Sequence, residues 1–126
     1  MKKIISRLVF SLLTVLWAYL IFYLSSLPDL SSSWPWIYDL IARKLGHIGV
    51  FGVLAYLLAR TFDRREKEYL IFYFFAAVAY AVSDEWHQTG VVGRNGSGLD
   101  VVIDSIGIYS ALSVYKNSLL SKFFGK

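Results

Sequence analysis

The residues that could do chemistry are few, and they are gathered. Between Tyr80 and Gly107 stand Asp84, Glu85, His87, Gln88, Arg94, Ser97, Asp100 and Asp104, and Lys44 and His47 stand earlier in the chain. Most of the remaining sequence is apolar. Ionisable groups set among apolar segments are costly unless they pair or function. Lys44 and Arg94 can hold an anion, Arg94 with two parallel hydrogen bonds. Gln88 and Ser97 complete the candidate substrate-binding set, and backbone N–H groups of residues 96–99, at the start of a helix, would add to it. The candidate catalytic set is His47, Glu85, Asp100 and Asp104. His47 changes charge near neutral pH and can act as acid or base. Glu85 would orient it or take the proton itself, and Asp100 and Asp104 would orient the site. His47, Glu85, Asp100 and Asp104 also offer nitrogen and oxygen donors to a metal. No tight motif such as H-E-x-x-H occurs, so anion binding ranks above metal binding. No metal ligand is assigned, and the cofactor is left open.

Plainer roles compete for the same residues. Ser97-Gly98-Leu99-Asp100 matches a capping box, with Ser97 as N-cap. Asn95-Gly96 reads as a turn. Asp84 or His87 can face interfacial water, and His47 can be a packing histidine. Asp104 lies one helical turn beyond Asp100, deeper among apolar residues, where an unpaired charge would be expensive. Arg94 or Lys44 is its expected partner.

The elements that must position these residues follow from composition. The chain has 126 residues, enough for one domain over 1–126, with 56% hydrophobic and 17% aromatic residues. That is richer than an ordinary soluble domain. There are no cysteines, so disulfides and thiolate metal sites are excluded. The predicted fold is all-α and polytopic, with four transmembrane helices over 4–24, 41–60, 69–88 and 99–116. The first span follows Lys2 and Lys3 and so resembles a signal peptide, but its length and the poor cleavage sequence Tyr23-Leu24-Ser25-Ser26 favour a retained helix. Residues 25–38 read as a loop whose Trp34, Trp36 and Tyr38 suit a membrane interface. Gly46, Gly49 and Gly52 form a smooth ridge expected to receive another helix. The charged run Arg60 to Glu68 reads as a connector.

Basic residues cluster as Lys2, Lys3 and Arg7, then Arg60, Arg64, Arg65 and Lys67, then Lys116, Lys122 and Lys126. By the positive-inside rule both termini are cytoplasmic, and the first and third loops face outward. This segregation by apolar spans argues for membrane topology and against nucleic-acid binding. It also brings Lys44, His47, Asp84, Glu85, Gln88, Arg94, Ser97, Asp100 and Asp104 to one membrane depth. In a bundle they can share one pocket, at the level of lipid phosphates.

The same residues carry a family resemblance. Lys44-Leu45-Gly46-His47, then Asp84-Glu85-Trp86-His87-Gln88, then Gly93-Arg94-Asn95-Gly96-Ser97-Gly98-Leu99-Asp100 onward to Asp104 and Gly107 resembles the VanZ-like family in order and spacing. Tyr23-Leu24-Ser25-Ser26-Leu27-Pro28 looks like its serine motif. Asp104 departs from the pattern, where Asn is often expected. The resemblance implies a small multi-pass protein of the bacterial cytoplasmic membrane. The family's founding member is associated with resistance to teicoplanin, a lipid-tailed glycopeptide antibiotic of cell-envelope action. Two functions are carried forward. One is an enzyme that hydrolyses or transfers the phosphate head group of an envelope lipid or lipid-linked cell-wall intermediate. The other is a protein that binds lipid or lipoglycopeptide without chemistry. The expected partner is a membrane lipid or lipid-linked small molecule, and the oligomeric state is not set by sequence. A transporter is weaker, because no charge in the inner half marks a through-path.

Overall fold

In a computed structural model of the chain, residues 1–28 and 33–118 are described. They form four α-helices and no strand: α1 (Lys2–Ser26), α2 (Trp36–Phe62), α3 (Lys67–Thr89) and α4 (Gly98–Asn117). Asp29 of the first loop and the C-terminal Lys122 and Lys126 lie outside the described residues.

Each helix buries residues at helical spacing. On α3 these are Tyr73, Ala77 and Ala81; on α4, Ile108, Leu112 and Tyr115; on α2, Phe51, Leu54, Ala55 and Ala59. Ile21 joins them from α1. α2 touches all three other helices and packs most extensively on α4, whereas α1 and α4 do not meet. Side-chain hydrogen bonds to main-chain carbonyls help tie α1 to its neighbours. Trp17 donates to the Val50 carbonyl at 2.9 Å, and Tyr80 donates to the Ala18 carbonyl at 2.6 Å.

α2 starts at Trp36 rather than at residue 41. Pro35 is its N-cap, and Asp39 in the first turn is bonded to Arg43 one turn on, at 2.8 Å. An acid at that position favours a helix start. Trp36 and Tyr38 therefore stand on the first turn of a helix, still exposed, rather than in a loop. The connection after α2 is a compact link: Tyr73 and Tyr115 donate to the Arg64 carbonyl at 3.3 and 3.4 Å, and the Arg65 guanidinium lies over the Tyr115 ring.

The glycine ridge behaves differently from expectation. A Cβ on Gly46 or Gly49 would meet nothing within 4 Å. Only Gly52 packs closely, where a Cβ would lie 3.1 Å from the Gly107 carbonyl oxygen. A Cβ on Gly107 would run into the Ile48 carbonyl. Residues three apart precess around a helix of 3.6 residues per turn, so only one of the three glycines lies on the line of contact with α4.

α1, α2 and α4 are long and apolar enough to cross a bilayer. Leu12, Leu16 and Tyr19 of α1 are each more than half exposed, as are Ile106 and Tyr109 of α4. Apolar surface on this scale suits lipid rather than water. The chain is a membrane protein. α3 stands apart from those three in composition because it carries Asp84 and Glu85, yet both are buried against the other helices.

Candidate functional site

The buried stripes change character at one end of the bundle. On α3, Tyr73, Ala77 and Ala81 continue into Asp84, Glu85 and Gln88, all buried. On α4, Leu112 and Ile108 lead back to Asp104, which is 0% exposed. On α2, the face of Phe51 leads back to His47 and Lys44. The positions that would carry core hydrophobes carry ionisable groups instead, and they point where the core would be.

α2 and α4 run side by side in the same direction, and their partners step along together. Lys44 forms an ion pair with Asp100. One turn deeper, His47 Nδ1 donates to Asp104 Oδ1 at 3.0 Å. Deeper still come Gly52 and Gly107. This register corrects the expected partner of Asp104, which is neither Arg94 nor Lys44. The lysine is spent on the shallower acid, and the histidine reaches the deeper one. Glu85 Oε1 lies 3.9 Å from the same His47 nitrogen.

The ends of α1 and α3, the first half of α2, residues 93–95 and the start of α4 enclose a cleft of about 390 Å³. Lys44, His47, Gln88, Arg94 and Asp100 line it, with Ser25, Arg43 and Asp84. Glu85, Ser97 and Asp104 stand outside that lining. His47 therefore faces the cleft with Asp104 behind it.

Ser97 is the N-cap of α4, its Oγ accepting from the Leu99 N–H at 3.2 Å. In a capping box the acid three residues on, here Asp100, accepts the N-cap N–H. Glu85 does so instead, from α3, with Ser97 N–H donating to Oε2 at 2.9 Å. That releases Asp100 for Lys44. It also engages two of the four N–H groups expected to bind an anion, those of Ser97 and Leu99.

Arg94 follows Gly93, whose φ of 76° is a left-handed conformation that glycine adopts freely. The turn sends the guanidinium back to α1, where Nε donates to the Leu27 carbonyl at 3.1 Å and a terminal nitrogen to the Leu24 carbonyl at 3.2 Å. Both carbonyls lie at the end of α1, beyond the reach of intrahelical i+4 donors, and that of Leu24 also accepts from the Leu27 N–H at 3.3 Å. Arg94 forms no ion pair among the described residues.

Ser25 and Asp84 line the cleft too; the sequence places Asp84 at this depth but assigns neither residue a catalytic or binding role. Ser25 Oγ donates to Asp84 Oδ1 at 2.5 Å, and Gln88 Nε2 donates to Asp84 Oδ2 at 2.9 Å. The i,i+4 spacing of Asp84 and Gln88 was a legible signal; the serine from α1 had only its place in a short motif. Ser25→Ala would leave a buried carboxylate oxygen without its donor. We expect a loss of about 1–3 kcal/mol, checked by thermal unfolding of the purified protein in detergent. His87 is bonded to Ser26 Oγ at 2.9 Å and stacked on Phe22, on the seam between α1 and α3.

His47, Glu85 and Asp100 each place one donor atom within 4.8 Å of the others, close enough to share an ion. No curated protein and no solved structure matches the chain. The sequence model of the VanZ/LLP1 family matches residues 10–121, a span that contains every residue of the site. By that match the chain belongs to the VanZ/LLP1 family.

Proposed function

We propose that the cleft binds the phosphate head group of an envelope lipid or lipid-linked cell-wall intermediate, at the outer face of the bacterial cytoplasmic membrane. In this reading all four helices span the membrane, α3 with its acids turned inward, and both termini are cytoplasmic. The segregation of basic residues supports that orientation.

The observation that carries the proposal is Arg94. Its guanidinium lines the cleft and is held in place by two neutral main-chain carbonyls, with no carboxylate partner among the described residues. The positive charge is positioned in advance and left for a ligand, and guanidinium geometry matches a phosphate. Lys44 adds a second cation on the cleft wall. With His47 Nδ1 committed to Asp104, Nε2 is the nitrogen free to exchange a proton with a bound group. Asp104 is then a positioning residue, and Glu85 secures the start of α4.

A non-enzymatic reading is favoured by one feature. Asp84, Ser25 and Gln88 satisfy one another in a closed network, as a structural wall would. The protein would then bind a lipid, or a lipoglycopeptide of the teicoplanin type, and alter nothing.

Purified protein in detergent would be offered prenyl phosphate and phospholipid phosphates, with binding and phosphate release measured separately. Hydrogen bonds to charged groups contribute about 1.5–3 kcal/mol, so Arg94→Ala should weaken binding roughly 10- to 100-fold. Equal binding by wild type and Arg94→Ala would sink the proposal. Release that His47→Ala abolishes, with binding kept, supports the enzyme; bound lipid never altered by wild type supports the binding protein.

A further inference from the structure

We infer that His47, Glu85 and Asp100 form a divalent-cation site, with Asp104 as the carboxylate that orients the histidine. The donors converge from three helices, one atom of each within 4.8 Å of the others.

The second observation is a set of carboxylate oxygens with nothing to accept from. Glu85 is 5% exposed and Asp104 0%. Glu85 Oε1 and Asp104 Oδ2 are buried and have no hydrogen-bond partner among the described residues. Glu85 is not loosely placed, since its other oxygen is held by the Ser97 N–H. The fixed group leaves Oε1 directed toward the His47 ring, 3.9 Å from Nδ1. Buried polar atoms are nearly always satisfied, and a carboxylate oxygen in apolar surroundings without a donor is strongly unfavourable. A cation bound by His47, Glu85 and Asp100 removes that penalty at Glu85 Oε1.

Charge agrees. Glu85, Asp100 and Asp104 bring three negative charges, and Lys44 on Asp100 returns one positive charge. With His47 neutral, the excess matches one divalent ion. Among the described residues, the other charges at this end of the bundle, Arg94 with Asp84 and Arg43 with Asp39, cancel in number. His47 Nδ1 donates to Asp104 Oδ1, the bond to a carboxylate that metal-ligating histidines commonly make through one ring nitrogen, which leaves Nε2 as the ligating nitrogen. A mixed set of imidazole and carboxylates with no thiolate suits Mn²⁺ or Zn²⁺.

This site does not depend on lipid, so it can fail while phosphate binding at Arg94 stands, and the reverse; where it holds, the ion replaces proton exchange at His47 Nε2. The full chain, purified in detergent and stripped with chelator, would be titrated with Mn²⁺, read by loss of the free-ion electron paramagnetic resonance signal, and with Zn²⁺ by calorimetry. We expect one ion per chain. Removing a second-shell carboxylate typically lowers metal affinity 10- to 100-fold, which is the range expected for Asp104→Asn; Glu85→Gln should lose at least as much. Nitrogen hyperfine coupling to bound Mn²⁺ should vanish in His47→Gln. Lys44→Met removes a like charge and should tighten binding, a change that misfolding does not produce. Failure of both ions to bind a helical, monodisperse wild-type protein overturns the site. So does wild-type binding no tighter than that of Glu85→Gln, or a Lys44→Met variant as weak as Glu85→Gln.

Discussion

Gly107→Ala is expected to destabilise the bundle, by about 3 kcal/mol or more, at the upper end of what inserting a methyl into packed surroundings costs. The added Cβ would meet the carbonyl oxygen, carbonyl carbon and Cα of Ile48. These are backbone atoms of a helix, so no rotamer change relieves the clash. α2 and α4 would have to separate along the seam that carries the ion pair and the histidine. The sign makes this a demanding test. Alanine is intrinsically better than glycine in a helix, by about 1 kcal/mol. Gly49→Ala, with nothing within 4 Å of its new methyl, should therefore be neutral or slightly stabilising. Unfolding midpoints of the two variants in the same detergent would check the contrast. Equal behaviour would mean that α2 and α4 do not cross at Gly107.

His47→Leu should cost about 3–5 kcal/mol, the loss typical when one partner of a buried charged pair is removed. His47 is the only hydrogen-bond partner of Asp104 among the described residues, and Asp104 is fully buried. Leucine would leave a carboxylate enclosed with no donor. Truncating both members of the pair removes the stranded charge together with its partner. The His47→Leu/Asp104→Leu protein is accordingly expected to be more stable than His47→Leu alone. A double-mutant cycle on unfolding in mixed micelles measures the coupling. Additive losses would show that the two side chains do not interact.

How much of this was legible in the sequence differs from residue to residue. Four helices and the N-cap at Ser97 could be read, because span length, polar breaks and capping chemistry are local. So could the gathering of Lys44, His47, Gln88, Arg94 and Asp100 at one end, since alternating spans leave no other place for them. The pairing inside that group could not. Whether Asp104 meets Lys44, Arg94 or His47 depends on how far α2 is slid along α4, and no periodicity within either helix carries that displacement. The glycine ridge failed for a related reason. Spacing shows that small residues recur, but the rotation of the helix decides which of them is used. Glu85 in the role of capping acid was hidden because its partner belongs to another helix. Ser25 was hidden because one serine at the end of an apolar span looks like any other.

The bond between Arg94 and the end of α1 has a consequence for how the protein is made. α1 leaves the ribosome first, and the residue that closes its last turn is synthesised only after α2 and α3. Until then the carbonyls of Leu24 and Leu27 have no guanidinium to accept from. Once it arrives, the loop between α3 and α4 pins the end of the first helix through one side chain. A nascent chain stopped before residue 90 would hold α1 by its apolar flank and by bonds such as Trp17 to Val50, Tyr80 to Ala18 and Ser25 to Asp84, without the guanidinium at its end. The cleft is therefore completed late, since residues 93–95 and Asp100 form part of its wall.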